Sequence, residues 1–320
     1  MLVFRDLKEL PPDWGATVVS IGNFDGVHRA HQHVLSKVAE SARELRAKSM
    51  AMTFDPHPLR VLRPEGAPLL ITPLSEKIGA LASTGIDAVL VLPFDNQFAS
   101  MSPQDFARKI VADGLHANEV HEGANFRFGN RAEGDCETLK QLGQEFGFRV
   151  VVYPEMRVRG ESVSSSRIRQ LLLEGNVSRA RHLLGRAFLI SGVPAKGRGY
   201  GTRYTVPTIN LAPYSELTPR NGVYVTCTRV ANESFESVTN VGMRPTFGGT
   251  AFAIETHLLN FHPIPLDEST QIEISFLKWL RPEVRWANAE ALKEQIGKDV
   301  TEAKRLFSLA GGKPRELRST

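Results

Sequence analysis

Residues 18–31 read Val18-Val19-Ser20-Ile21-Gly22-Asn23-Phe24-Asp25-Gly26-Val27-His28-Arg29-Ala30-His31. The apolar run predicts a buried strand, the glycine-containing segment predicts a loop, and the residues after it have the apolar spacing of a helix. A strand that passes through such a loop into a helix is typical of a βα unit in a parallel sheet. In open α/β folds, ligands bind at the carboxyl ends of the strands, where this loop would lie.

Two histidines stand at the start of the predicted helix. His28 and His31 are three residues apart, so their side chains lie on one face of a helical turn. A helix N-terminus offers unpaired backbone N–H groups and the positive end of its dipole to a phosphate. Imidazoles here would stabilise the charge that develops during nucleotidyl transfer. Two surface histidines on an ordinary turn are the structural alternative, but the glycine loop before them favours a nucleotide site.

The periodicity of the chain changes near residue 185. Before it, β-branched runs alternate with helical patterns, which predicts an α/β fold with a doubly wound parallel sheet. After it, strand-like segments are separated by turn-rich pieces, which predicts a mainly antiparallel β-barrel. Residues 289–309 have the pattern of a terminal helix. The sequence therefore predicts two domains, residues 1–184 and 185–320.

Composition narrows the class of protein. The chain has 320 residues, of which 42% are hydrophobic, and 39 Lys and Arg against 35 Asp and Glu give a net charge of +4. This dispersed excess is too weak to indicate nucleic-acid binding. Cys136 and Cys227 give neither a disulfide framework nor a metal-ligand spacing. With no signal peptide and no apolar run of roughly 20 residues, we expect a cytoplasmic protein with no membrane partner. The oligomeric state is left open.

Several motifs occur in the order of a known family. The loop Gly22–His28 resembles the entry loop of prokaryotic bifunctional riboflavin kinase/FMN adenylyltransferases, also called FAD synthetases. Thr53–Pro58, Gly123–Gly129 and Val163–Arg169 resemble three further segments of that family, and the resemblance covers about residues 15–300. It implies a nucleotidyltransferase-like Rossmann domain followed by a riboflavin kinase β-barrel with a C-terminal helix.

The resemblance assigns roles in the first domain. It implies that His28 and His31 are catalytic residues at the ATP phosphates, with Asn125 near the reacting phosphates or the nucleotide sugar. The ATP-binding residues that it implies here are Gly22, Asn23, Phe24, Asp25, Asn125, Ser164, Ser165 and Arg169. Helix capping is the alternative for the serines. The flavin contacts that it implies are Pro56, His57 and Pro58, for which a purely structural turn is the alternative.

A second phosphate site is predicted in the C-terminal half. The glycine-rich segment that contains Gly197 and Gly201 indicates a loop whose N–H groups bind ATP phosphates. After it, Thr208 and Asn210 match a riboflavin kinase segment that binds Mg-ATP. Two residues apart on a strand, they face one side and offer hard oxygen ligands to Mg²⁺.

Two further residues of this half receive roles from the resemblance. Glu255 matches the family's presumed base for the riboflavin 5′-hydroxyl, and a solvent-facing strand glutamate is the alternative. Arg281 would contact the flavin or form a structural ion pair. The implied function is ATP-dependent phosphorylation of riboflavin to FMN, followed by adenylyl transfer from ATP to FMN, which yields FAD and pyrophosphate.

One departure from the superfamily pattern leaves an alternative open. Ala30 stands where His-x-Gly-His usually has glycine. The alternative is therefore a riboflavin kinase whose N-terminal domain binds nucleotide weakly or without catalysis. A further alternative is a flavin-responsive regulator, which would bind its ligand without turnover. Another small-molecule nucleotidyltransferase is disfavoured by the motifs of the barrel half.

Overall fold

The computed structural model describes residues 1–195, 208–246, 249–262, 266–284 and 286–309. The chain divides into two compact units, Met1–Ser165 and Ser166–Thr320. This division places the helices of residues 166–184 in the second unit. The change in sequence periodicity predicts instead a domain boundary between residues 184 and 185. That boundary stays a prediction.

The first unit contains a six-stranded parallel sheet in the order β1-β4-β3-β2-β5-β6. Its strands are β1 Leu2–Phe4, β2 Thr17–Ile21, β3 Lys48–Asp55, β4 Ala88–Pro93, β5 Ala117–Gly123 and β6 Arg149–Tyr153, and a small hairpin follows with β7 Arg157–Val158 and β8 Glu161–Ser162. The helices are α1 Arg29–Leu45, α2 Pro58–Leu62, α3 Leu74–Ala82, α4 Asn96–Ala99, α5 Pro103–Asp105, which continues as a π-helix over Phe106–Ala112, and α6 Cys136–Phe146.

Both faces of this sheet are covered, as a doubly wound fold requires. On one face, Met50 and Leu90 pack in a cluster with Leu139 of α6 and Ile110. On the other, a cluster with Val89 includes Leu35 of α1. Strands buried on both sides read as continuous apolar runs, which is why the sequence shows them clearly. The predicted α/β doubly wound sheet is confirmed.

The second unit is built on a curled antiparallel sheet in the order β10-β13-β12-β11-β14-β9. Its strands are β9 Phe188–Gly192, β10 Thr208–Asn210, β11 Gly222–Val230, β12 Glu233–Thr246, β13 Gly249–Leu258 and β14 Ile272–Arg281, and its helices are α7 Ser165–Leu173, α8 Val177–Leu184 and α9 Ala289–Leu309. A bridge between Pro194 and Leu211 brings the two edges of the sheet together. The predicted antiparallel barrel with a terminal helix is confirmed.

The interior of this sheet contains a network of hydroxyl groups. Five fully buried side chains exchange hydrogen bonds of 2.7–3.0 Å, namely Thr226, Thr228, Ser237, Thr239 and Thr256. Buried hydroxyls cost free energy unless they are paired, and here each finds a partner across a strand. The network thereby ties β11, β12 and β13 into one register.

Helix α9 is held on the outer face of the sheet by apolar packing and one ion pair. Ala303 and Phe307 pack against Val223 and Val225 of β11. The Arg281 guanidinium of β14 donates to the Asp299 carboxylate of α9 at 2.8–3.1 Å. The Asp299 side chain is only 7% exposed and the Arg281 side chain only 18% exposed.

Removal of this buried carboxylate should destabilise the second unit. In Asp299→Ala, the Arg281 guanidinium loses its partner, and we expect the free energy of unfolding to fall by about 3 kcal/mol. Urea denaturation followed by tryptophan fluorescence measures it, since Trp279 and Trp286 lie in this unit. The adjacent Lys298→Ala, which removes an exposed pair with Glu294, is the control and should leave the midpoint nearly unchanged. Equal midpoints for both variants would contradict the prediction.

Candidate functional sites

The loop after β2 has a tightly constrained backbone. Gly22 N–H donates to the Met52 carbonyl of β3 at 2.9 Å, and Thr53 Oγ1 donates to the Asn23 carbonyl at 3.3 Å. Two non-glycine residues adopt positive φ here, Phe24 at 45° and Val27 at 37°. Such conformations are unfavourable for side chains with a Cβ, above all for a β-branched valine. Strain of this kind concentrates at functional sites, where the surroundings hold it.

His28 and His31 meet at the start of α1, as their spacing predicts. Their rings stack with centroids 3.6 Å apart and planes 14° from parallel. His28 is the N-cap residue, and its Nδ1 accepts the His31 N–H at 3.4 Å. Because Nδ1 accepts, the neutral His28 ring carries its proton on Nε2. The helix start therefore combines imidazoles with the positive end of the dipole.

Asp25 lies behind the loop rather than at its surface. Its carboxylate is buried and accepts the N–H groups of Ile71 at 3.1 Å and Thr72 at 3.0 Å. The backbone carbonyl of Asp25 accepts the Ser165 hydroxyl at 2.9 Å. Burial lowers the pKa of Lys77 on α3, while the carboxylates of Asp25 and Asp55 oppose that shift. Asp25 thus joins the loop to two other segments, and its predicted ATP contact stays a prediction.

A cavity of about 1020 Å³ opens at the carboxyl edge of the sheet beside this loop. Four predicted site residues line it, namely Gly22, Asn23, Pro58 and Asn125. His57 is buried and caps α2, where its Nδ1 accepts the Leu59 N–H at 3.2 Å, while Pro56 is exposed and follows a cis peptide bond. The structure therefore brings together the predicted nucleotide loop, Asn125 and the end of the predicted flavin loop.

The wall of this cavity is aromatic. Six of the seventeen phenylalanines line it, and their rings form one connected chain with centroid distances of 5.3–6.1 Å: Phe54, Phe94, Phe98, Phe106, Phe126 and Phe128. Three arginines are also among the lining residues, namely Arg63, Arg127 and Arg131. Most of these residues were not predicted as site residues from the sequence. Phe54 and Phe94 stand at or just beyond the carboxyl ends of β3 and β4, and that position was the signal available in the sequence.

The predicted kinase residues converge on one face of the second unit's sheet. Thr208 and Asn210 face the same side of β10, and Asn210 lies directly opposite Glu255 of β13. Asn240 of β12 lies opposite Glu255 on its other side. Since directly opposed residues have Cβ atoms roughly 4.5–5.5 Å apart, Asn210, Glu255 and Asn240 form a polar row across three strands. Thr208 lies two residues along from that row.

A second carboxylate approaches the same face. Gly242 lies two residues after Asn240, and a Cβ at this position would collide with the Glu283 carboxylate. The Met243 N–H donates to Glu283 Oε2 at 3.3 Å. Gly242 therefore makes room for an acidic group that the sequence analysis did not single out.

The remaining predicted residues are not brought into either site by the described contacts. Gly197 and Gly201 lie outside the described residues. Arg281 pairs with Asp299, which supports the structural alternative for that arginine. Ser164 precedes α7, and Arg169 belongs to the second unit, so its role at the first site remains a prediction. Within the described ranges, no group of three or more His, Cys, Asp or Glu side chains could hold a metal ion.

These features define the class of protein. The first unit is a Rossmann-like domain with a cavity at the edge of its parallel sheet, and the second is a curled antiparallel half-barrel with a polar row on one face. Residues 10–167 match the FAD synthetase family and residues 184–307 match the riboflavin kinase family. The chain belongs to the bifunctional riboflavin kinase/FMN adenylyltransferase family, as its motifs predict.

Curated relatives match nearly the whole chain. It is 35% identical to the bifunctional riboflavin kinase/FMN adenylyltransferase of Pseudomonas fluorescens, over 96% of this chain and 98% of the relative. The protein of the same name from Escherichia coli K12 is also 35% identical, over 95% and 96%. A solved structure described as a macrolide-efflux protein from Streptococcus pneumoniae is 26% identical with a TM-score of 0.83, over 95% of this chain and 98% of that one.

None of the helices in the described parts of the chain combines the length and the apolar character that a membrane-spanning helix needs.

Loss of the Asp25 carboxylate should loosen the nucleotide loop. In Asp25→Ala, two buried N–H groups lose their acceptor, and we expect the free energy of unfolding of the first unit to fall by about 3 kcal/mol. Hydrogen exchange should accelerate at the amides of Ile71 and Thr72. Asp6→Ala removes an exposed cap of a short 3₁₀ helix in the same unit and serves as the control. Unchanged exchange at Ile71 and Thr72 would show that other contacts hold the loop.

Proposed function

We propose that this chain phosphorylates riboflavin to FMN in its second unit and adenylylates FMN to FAD in its first unit. The observation that carries the proposal is the pair of distinct polar sites in one chain. In one unit, stacked imidazoles stand at a helix start, and Gly22 and Asn23 of the loop before that helix line an aromatic cavity. In the other, a glutamate lies between two asparagines on a sheet face.

In the adenylyl-transfer site, the nucleophile is the phosphate of FMN, which attacks the α-phosphorus of ATP and expels pyrophosphate. This nucleophile is already anionic, so positioning and charge stabilisation are the main tasks of the protein. The N–H groups at the start of α1 and the imidazoles of His28 and His31 would bind the ATP phosphates. Asn23 and Asn125, both exposed at the cavity, would orient the reacting groups from its two sides.

The aromatic cavity would hold the isoalloxazine of FMN. A planar aromatic ligand gains offset or edge-to-face contacts with phenylalanine rings in addition to the burial of its surface. Arg63, Arg127 and Arg131 lie on the same lining and would pair with the FMN phosphate, since guanidinium groups bind phosphate through two parallel hydrogen bonds. Pro58 would contribute to the mouth of the cavity.

In the kinase site, the nucleophile is the neutral 5′-hydroxyl of riboflavin, which needs a base as it attacks the γ-phosphorus of ATP. Glu255 would accept that proton. Thr208 and Asn210 would hold Mg²⁺ with the ATP phosphates. Their hydroxyl and amide oxygens fit this ion, which prefers hard oxygen ligands and uses few protein groups. When bound, Mg²⁺ neutralises charge that develops on the phosphates.

Substitution of Glu255 should separate the two activities. Wild-type protein given riboflavin, ATP and Mg²⁺ should yield FMN and then FAD. In Glu255→Gln, the base is lost while its size and site are kept, so we expect FMN formation to fall by about 10²–10⁴-fold. FAD formation from supplied FMN should persist. Chromatographic separation of the flavins over time measures both steps.

The same assay contains its own control. FAD formation from supplied FMN shows that the Glu255→Gln chain is folded. Wild-type reactions that stop at FMN would refute the adenylyltransferase half, and loss of both steps in a folded variant would refute the two-site proposal.

A substitution in the aromatic wall should affect FMN adenylylation alone. Phe98 contacts three other phenylalanines of the cavity. In Phe98→Ala, we expect the KM for FMN to rise about two- to tenfold, because a lost aromatic contact costs roughly 0.5–1.5 kcal/mol. Riboflavin phosphorylation should be unchanged. Leu45→Ala, an exposed apolar residue outside the cavity, is the control, and an unaltered KM for Phe98→Ala would contradict the flavin assignment.

A further inference from the structure

Strands β2 and β5 separate just below the cavity. They pair from Thr17 with Ala117 up to Val19 with Val120, and no further pairs follow, although β2 continues to Ile21 and β5 to Gly123. The sheet order places the later strands β3 and β4 on one side of β2, and β5 and β6 on the other. This gap is therefore the point at which the winding direction reverses, where open α/β folds bind their ligands.

A buried side chain replaces the missing strand partner at this point. Glu122 of β5 is only 4% exposed, and its Oε1 accepts the Ile21 N–H at 2.6 Å. In a continuous ladder, a backbone carbonyl of β5 would accept this N–H. The carboxyl extends the reach of β5 by the length of a side chain. The carboxyl thus bridges the two strands beyond the point where their backbone pairing ends.

The residues on either side of this bridge line the cavity. Ile21, Gly22 and Asn23 follow from β2, and Asn125 and Phe126 follow from β5. The bridge therefore sets the distance between the two segments that would hold ATP and FMN. Burial also raises the pKa of the Glu122 carboxyl well above its usual range, so a neutral amide is a close substitute for it.

We propose that Glu122 is a positioning residue for adenylyl transfer, whose carboxyl holds β2 and β5 at the separation that the reacting phosphates require. The proposal rests on the adenylyltransferase function given above. A small displacement of reacting groups lowers the rate of the chemical step more than it weakens binding. The effect should therefore appear in kcat rather than in KM.

Three substitutions at Glu122 test the proposal, with kcat and KM for FMN adenylylation as readouts. Glu122→Gln keeps the acceptor and its reach, so kcat should stay within twofold of wild type. Glu122→Met keeps the length without an acceptor, and Glu122→Asp keeps the carboxyl but shortens the reach. Both should lower kcat at least tenfold while the KM values for FMN and ATP change less than threefold. Riboflavin phosphorylation should be unchanged in all three.

Glu119→Gln is the matched control, because Glu119 is a second buried glutamate of β5. Its partners are Ser41, His121 and Arg149, and it does not line the cavity. Its kcat for adenylylation should stay near the wild-type value. Circular dichroism and urea denaturation check that each variant is folded, and hydrogen exchange at the Ile21 amide reports whether the bridge to residue 122 is kept.

The outcomes separate the possible failures. Wild-type kcat in Glu122→Asp or Glu122→Met overturns the positioning role. If the kcat of Glu122→Gln falls as far as that of Glu122→Met, the positioning role is overturned too, because an acceptor of equal reach would then not maintain the rate. If Glu122→Met does not fold, the positioning role is tested by comparing the kcat of Glu122→Asp with that of Glu122→Gln. Wild-type protein without adenylylation would refute the underlying function instead.

Discussion

The first site depends on a topological constraint: β2 has neighbours whose connections run in opposite directions along the sheet. Strands β3 and β4 lie on one side of it and β5 and β6 on the other, so the connections that follow β2 and β5 leave the gap between them in opposite directions. Pairing between β2 and β5 ends at Val19 and Val120, so the β2 backbone groups that face β5 beyond this point need another partner. The ends of β2 and β5 lead into segments that line the cavity, and α1 begins at Arg29, after the first of these segments.

That constraint explains why the loop of residues 22–28 is both strained and fixed. Positive φ angles at Phe24 and Val27 would be lost in an isolated peptide. Here, Gly22 is bonded to β3, the Asp25 carboxylate to residues 71 and 72, and the Asp25 carbonyl to Ser165. The strained backbone conformation costs free energy, and the buried hydrogen bonds around the loop offset this cost. The loop backbone is therefore held in place by contacts within the protein.

Much of this architecture could be predicted from the sequence, because strands buried on both faces leave continuous apolar runs. The apolar run Val18–Ile21 lies within β2, as predicted, and α9 spans the predicted residues 289–309. Strand β1 was missed, since Leu2–Phe4 is a short edge strand with two exposed residues. The row of Asn210 and Glu255 could be predicted from the family motifs and from the alternation of side chains along a strand. The phenylalanine wall and Glu122 were not, because they depend on how separate strand ends come together in space.

The two sites differ because their nucleophiles differ in charge. A phosphate attacks without losing a proton, so the first site needs donors and geometry rather than a carboxylate base. Its nearby acids have other partners: Asp25 accepts two amides, and Glu122 accepts the Ile21 N–H. A hydroxyl must lose its proton as it attacks, so the second site needs a carboxylate within reach. In the proposed kinase site, the antiparallel sheet would supply it directly, since the register places Glu255 beside Asn210 without any further loop.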